Sequence, residues 1–197
     1  HGSPMANAMD AAAFVLRTHP STLVIQRCGL PLLRRVACSY GAYGLSEVRN
    51  VGGLELVIGA MLRFASDGEI ASNGTALLHA VASAVEDPGA DDWSHVSSGG
   101  DHQTSGGERI GSSRSRTSGA ADLVATSGVV AALVQAMRLH TTRRDVQRHA
   151  ALALMAAASV SDAAHNHVFG HPGCRTCILV ALRQQPELGT QLHRQLA

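Results

Sequence analysis

An all-α solenoid, in which one helical unit stacks on the next, is predicted for this 197-residue chain by three features. A long segment repeats itself in a single register. Apolar residues recur at helical spacing within each copy. The core must also be built without bulky rings: hydrophobic residues make up 45% of the chain, but aromatic ones only 3%. Alanine, leucine, valine and isoleucine then fill the interior, and small side chains favour closely approaching helices over an aromatic-rich sandwich or barrel.

The repeat comes from aligning "GGLELVIGAMLRF" (52–64) with "GVVAALVQAMRLH" (128–140), a shift of 76 residues. Ala60-Met61 falls on Ala136-Met137, Val57 on Leu133 and Ile58 on Val134. The same shift carries "EIASNGTALLHAVAS" (69–83) onto "DVQRHAALALMAAAS" (145–159). One register thus holds across two helices and the hinge between them, the signature of stacked units.

Each unit is expected to divide into three helices. A short first helix ends before a glycine, at Gly44 to Val51, Ala120 to Thr126 and Asp162 to Phe169. The second helix starts beside that glycine; Leu54, Val57, Ile58, Met61 and Ala65 mark one helical face. The third carries Val146, Ala150, Ala153, Leu154 and Ala157 and is apolar around most of its circumference, as befits a helix wedged between layers. Gly74, opposite Ala150, implies a tight crossing, because an interior glycine costs about 1 kcal/mol relative to alanine.

Around these units the chain is organised as follows. "HGSP", residues 1–4, reads as a cloning scar. Repeats occupy 5–86 and resume over 119–197 as one continuous domain. Between them, 87–118 is rich in serine and glycine and reads as a flexible inserted loop. Without those 32 residues the repeat is 44 long, and closing so long a loop adds only about 0.6 kcal/mol per doubling of length. "PGCRTCILVALRQQ" (172–185) is a further copy, with Ala181-Leu182-Arg183 on Ala136-Met137-Arg138. "CGLPLLRRVACSYG" (28–41) reads as a weaker first copy, preceded by an alanine-rich helix around Met9 to Arg17.

The unit resembles the armadillo repeat, in the variety whose second helix ends Ala-Met-Arg-x-His, here Ala136, Met137, Arg138 and His140. The Val146-Gln147 start and alanine-rich third helix fit as well. The resemblance covers residues 52–85 and 120–185; the earlier copy departs from it with Leu62 and Phe64 in place of Arg and His. It implies a right-handed α-α superhelix of about three to four repeats, whose third helices line a groove for a protein or an extended peptide. In the importin alpha branch that groove carries a ladder of asparagine and tryptophan. The equivalent positions here are Ala80 and Ala156, and Ala76 and Leu152, so the resemblance implies a smoother, more apolar groove without nuclear-signal binding.

The function expected is therefore a non-enzymatic interaction scaffold, with His79, Arg143, Arg144, Arg148 and Met155 as candidate groove residues. Trp93 is a candidate anchor of the loop onto the groove or a partner, or a cap on the preceding repeat. Ser112, Ser115 and Thr117, set among Arg109, Arg114 and Arg116, are candidate phosphorylation sites. "HNHVFGHPGCRTC" (165–177) supports an alternative, a zinc-stapled regulatory domain. His165, His167, His171, Cys174 and Cys177 include enough nitrogen and sulfur for a four-coordinate site, but their spacing matches no common finger. Asp162 and His165 lie close together, yet no nucleophile–base–orienter arrangement can be assigned, so no enzyme activity and no cofactor are expected. A net charge of +1 gives no footprint for nucleic acid, and no apolar run approaches the ~20 residues that span a bilayer. A reducing, cytoplasmic setting suits four cysteines with no disulfide framework. Exposed end repeats offer a surface on which two copies can pair.

Overall fold

The computed structural model describes residues 4–84, 121, 123, 126 and 128–190. Among them every regular element is a helix: α1 (Pro4–Thr18), α2 (Leu23–Ser39), α3 (Gly41–Asn50), α4 (Gly53–Arg63), α5 (Gly68–Ala82), α6 (Val129–Leu139), α7 (Arg144–Ala158), α8 (Asp162–Gly170) and α9 (Cys174–Gln184). The chain is all-α in this sense, as expected, and no described helix is long and apolar enough to cross a membrane. Pro4, assigned to the scar, already lies in α1.

The helix boundaries recur at the spacing of the sequence repeat. α4 and α6 are both 11 residues long, α5 and α7 both 15, and each pair starts 76 residues apart. The glycines before α4, α6 and α9 share one conformation: Gly52, Gly128 and Gly173 have φ of +66°, +85° and +82°. A Cβ is penalised in this left-handed region, which is why glycine stands at each of these entries. Thr22, Asp67 and Arg143, the residues before α2, α5 and α7, share an extended conformation, with ψ of 100°, 112° and 101°.

Packing sorts the helices into rows. α5 touches α2 on one side and α7, most extensively, on the other. α4 lies between α1 and α6, and α6 also meets α9. α3 bridges α2 and α4, and α8 bridges α7 and α9. A single apolar core runs through both rows from Met9 to Leu188.

The N-terminal helices depart from expectation. α1 and α2 are a complete second-and-third-helix pair rather than an alanine-rich helix followed by a weak copy, because α2 begins 45 residues before α5. A shared hydrogen-bond device fixes the equivalence. Gln26 Nε2 donates to the carbonyls of Leu16 (2.9 Å) and His19 (3.0 Å), and Gln147 Nε2 donates to those of Met137 (2.7 Å) and His140 (3.1 Å). Both glutamines are buried and cap carbonyls at the C-terminal ends of α1 and α6, where those of His19 and His140 also accept the amides of Thr22 and Arg143. The short first helix of this region is also longer than expected, Gly41–Asn50.

The tight crossing expected at Gly74 is present. A Cβ added there would lie 2.5 Å from Met61 Sδ and 2.7 Å from its Cγ. Gly29, the equivalent position of α2, is just as crowded by Leu16.

Candidate interaction surface on the row of α2, α5 and α7

The row is clamped at its N-terminal ends by charge. The Asp67 carboxylate caps α5, accepting from the amides of Glu69 (3.0 Å) and Ile70 (2.9 Å), and it also receives Arg27 from α2. Burial opposes its ionisation, but these hydrogen bonds and the Arg27 charge together hold its carboxyl below the usual range. Asp145 of α7 repeats the pattern: it accepts the Ser72 hydroxyl from α5 and pairs with Arg143 (3.2 Å). Its carboxyl is likewise held low, against the effect of burial, by the bonds from Ser72 and Arg143. A further tie joins the units, His140 Nε2 lying 2.8 Å from the Ala65 carbonyl.

Deeper along the row the composition changes. His79 of α5 and His149 of α7 stack with centroids 5.6 Å apart and planes at 26°. Among the described residues, His79 Nε2 and His149 Nδ1 are buried without a hydrogen-bond partner. Burial, then the His149 and Arg148 charges, push the His79 imidazole down to about 4. His149 is lowered by burial, then by Arg148 and Arg34, with Asp145 opposing. Beside the pair opens a hollow of about 580 Å³ lined by Pro31, Arg34, Arg35, Cys38, Ala76 and His149, with Ser39 at its edge.

Of the five groove residues expected, His79 and Arg148 come together here. Arg143 is committed to Asp145, and exposed Arg144 lends its backbone carbonyl to Gln185 Nε2 (3.0 Å). Met155 belongs to a separate apolar depression of about 360 Å³, shared with His165, Phe169, Ile178 and Leu182. Arg34, Arg35 and His149 were not anticipated. Their signal lay in the N-terminal register: Arg34 is equivalent to His79 and Met155, and Arg35 to Ala80 and Ala156. The smooth apolar groove therefore requires correction at α2, where a guanidinium replaces the alanine methyl.

The zinc alternative finds no assembled ligand set. Among the described residues no three His, Cys, Asp or Glu side chains group as metal ligands. Cys174 is fully buried, and burial, then Cys177, push its thiol up to about 11, away from the thiolate that metals require. His165 packs on Phe169 with centroids 4.6 Å apart, His171 Nδ1 lies 3.2 Å from the Pro172 carbonyl, and His167 is exposed. Trp93, Ser112, Ser115 and Thr117 lie outside the described residues, as does the whole span 87–118.

Compared with family models, curated proteins and solved structures, the chain gives no match.

Proposed function

We propose that this chain is an armadillo-type solenoid, a right-handed superhelix of about three to four repeats, acting in the cytoplasm as a non-enzymatic scaffold. It binds a protein or an extended peptide along the row of α2, α5 and α7. The observation that carries this reading is the recurrence of whole second-and-third-helix pairs, which sets three equivalent helices side by side. Such a row offers a repeated surface rather than an enclosed pocket. The half-buried Ala80 and Ala156 and the exposed Arg35 stand in register along it and give an extended ligand successive contact points.

Photo-crosslinking tests the reading. A photoreactive residue replaces Ala80 or Ala156 on the row, or Gly59 or Gln135, which are exposed on α4 and α6. Specific protein adducts from the first pair and not the second are expected. Adducts only from α4 and α6, or none from any position, would discard the scaffold.

A further inference from the structure

We propose that the hollow between α2 and α7 is an oxyanion subsite, receiving a phosphoryl or clustered carboxylate group from an extended peptide partner. The inference rests on the scaffold reading and names the partner chemistry.

Among the described residues, the arginines on the row divide into paired and unpaired sets. At the helix N-termini Arg27 has Asp67, and Arg143 has Asp145. Further along, Arg34, Arg35 and Arg148 have no ion pair among the described residues. Arg34 and Arg35 line one concavity, and Arg148 stands close enough to depress both histidines. Guanidinium groups gathered around a hollow without a counter-charge repel one another, and an oxyanion removes that repulsion while accepting their forked N–H groups.

The imidazoles supply the second observation. His149 lines the hollow, and among the described residues neither its buried Nδ1 nor Nε2 of the stacked His79 has a hydrogen-bond partner. An unsatisfied buried nitrogen is costly and is rarely left so without a reason. A bound oxyanion adds negative charge beside His149, which favours the doubly donating imidazolium. In the free protein Arg34 of α2 and Arg148 of α7 oppose that charge, Arg35 and the Cys38 thiol border the same hollow, and a bound oxyanion offsets the guanidinium field. Asp145 favours the charge, and it is already engaged by Ser72 and Arg143. Ala76 forms a small-residue floor, and about 580 Å³ admits a phosphorylated or acidic side chain. Recognition of phosphorylated and acidic motifs by arginine clusters is a recurrent mode of peptide binding.

The test uses the full chain and fluorescein-labelled peptides of glycine and serine in a single sequence: one with a central phosphoserine, one with three adjacent glutamates, and a neutral twin. Fluorescence anisotropy should show the charged peptides binding at least about tenfold more tightly than the twin. The double variant Arg34→Gln/Arg35→Gln should lose about tenfold, and Arg183→Gln, exposed on α9 away from the hollow, should stay within about twofold. Arg148→Gln provides a second variant should the double one fail to fold. The glutamate peptide should tighten from pH 8 to pH 6 on the intact chain and do so less on His149→Gln. Binding of phosphoserine but not glutamate, or the reverse, assigns the source of the oxyanion. Equal binding of the neutral twin, or indifference to Arg34, Arg35 and Arg148, overturns the subsite. So does tighter binding of a single-stranded oligonucleotide through the same arginines. Crosslinks from Ala80 or Ala156 without charged-peptide binding would leave the scaffold standing and the subsite refuted. Peptide binding without such crosslinks would do the opposite.

Discussion

The stacked imidazoles couple stability to acid. Folded His79 stays neutral down to about 4, whereas an unfolded histidine titrates near 6.5. Between those values the unfolded chain binds more protons, so this contribution is complete above pH 6.5 and is lost as the pH falls toward 4. His149, also lowered, acts in the same direction. Thermal melts should therefore shift downward from pH 7 to pH 5, and His79→Gln should show a smaller shift. An identical pH dependence in both proteins would mean that the pair is not held neutral. At Gln147 the effect is hydrogen bonding rather than charge. Removing its amide takes the Gln147 donor from the buried Met137 carbonyl and leaves the His140 carbonyl with the Arg143 amide alone. Gln147→Ala should cost on the order of 1–3 kcal/mol in urea unfolding. The copy between shows that a unit can be built without the device: Ala71 and Phe64 stand at the positions of Gln147 and His140, so apolar contact replaces the polar clamp.

Helix entries are set by backbone geometry as much as by side chains. Gly128 has φ of +85°, yet a Cβ there would meet nothing closer than Ile58 Cγ2 at 3.6 Å, and at Gly173 it would meet nothing within 4 Å. Gly128→Ala and Gly173→Ala should thus each cost about 1–2 kcal/mol through conformation alone. Chemical denaturation measures this, and a neutral result would show that the left-handed entry is dispensable. These glycines also mark how far the sequence could be read. From α4 to α9 the helices were legible because glycine punctuation and apolar spacing recur together, and the eye needs only one register. At α1 and α2 the punctuation is absent: α1 carries no glycine at its entry, and Pro31 sits inside α2. The surviving signal was polar and sparse, "RTHPSTLVIQR" against "RLHTTRRDVQR", in which Arg, His, Gln and Arg keep their spacing. Missing that register hid Arg34 and Arg35. His149 was hidden differently, since only the packing of α5 on α7 brings it against His79.

At the scale of the whole fold, the repeat register singles out an exposed apolar face on α1 and α2. Leu32 of α2 is equivalent to Leu77 of α5 and Ala153 of α7; it is 51% exposed, whereas they are 1% and 0%. Val15 of α1 is 44% exposed against 4% and 5% for Ala60 and Ala136. Together with Ala8, Ala11, Ile25 and Cys28 they line an apolar hollow of about 510 Å³ on the outer side of α1 and α2. The same positions in later copies are covered, so this face has the shape and polarity of a unit junction. Pairing of two copies through it is the expected consequence, since exposed apolar patches of this kind mark association surfaces. Leu32→Glu places a charge on the face and should change monomer stability by no more than about 0.5 kcal/mol. It should also convert any concentration-dependent dimer, followed by sedimentation velocity, to monomer. Leu77→Glu makes the same chemical change at the buried register position and should unfold the chain, because an unpaired carboxylate cannot be accommodated in the core. If the two variants prove equally stable, the register that equates α2 with α5 is wrong. If the intact chain stays monomeric at every concentration, this face does not join copies of the chain.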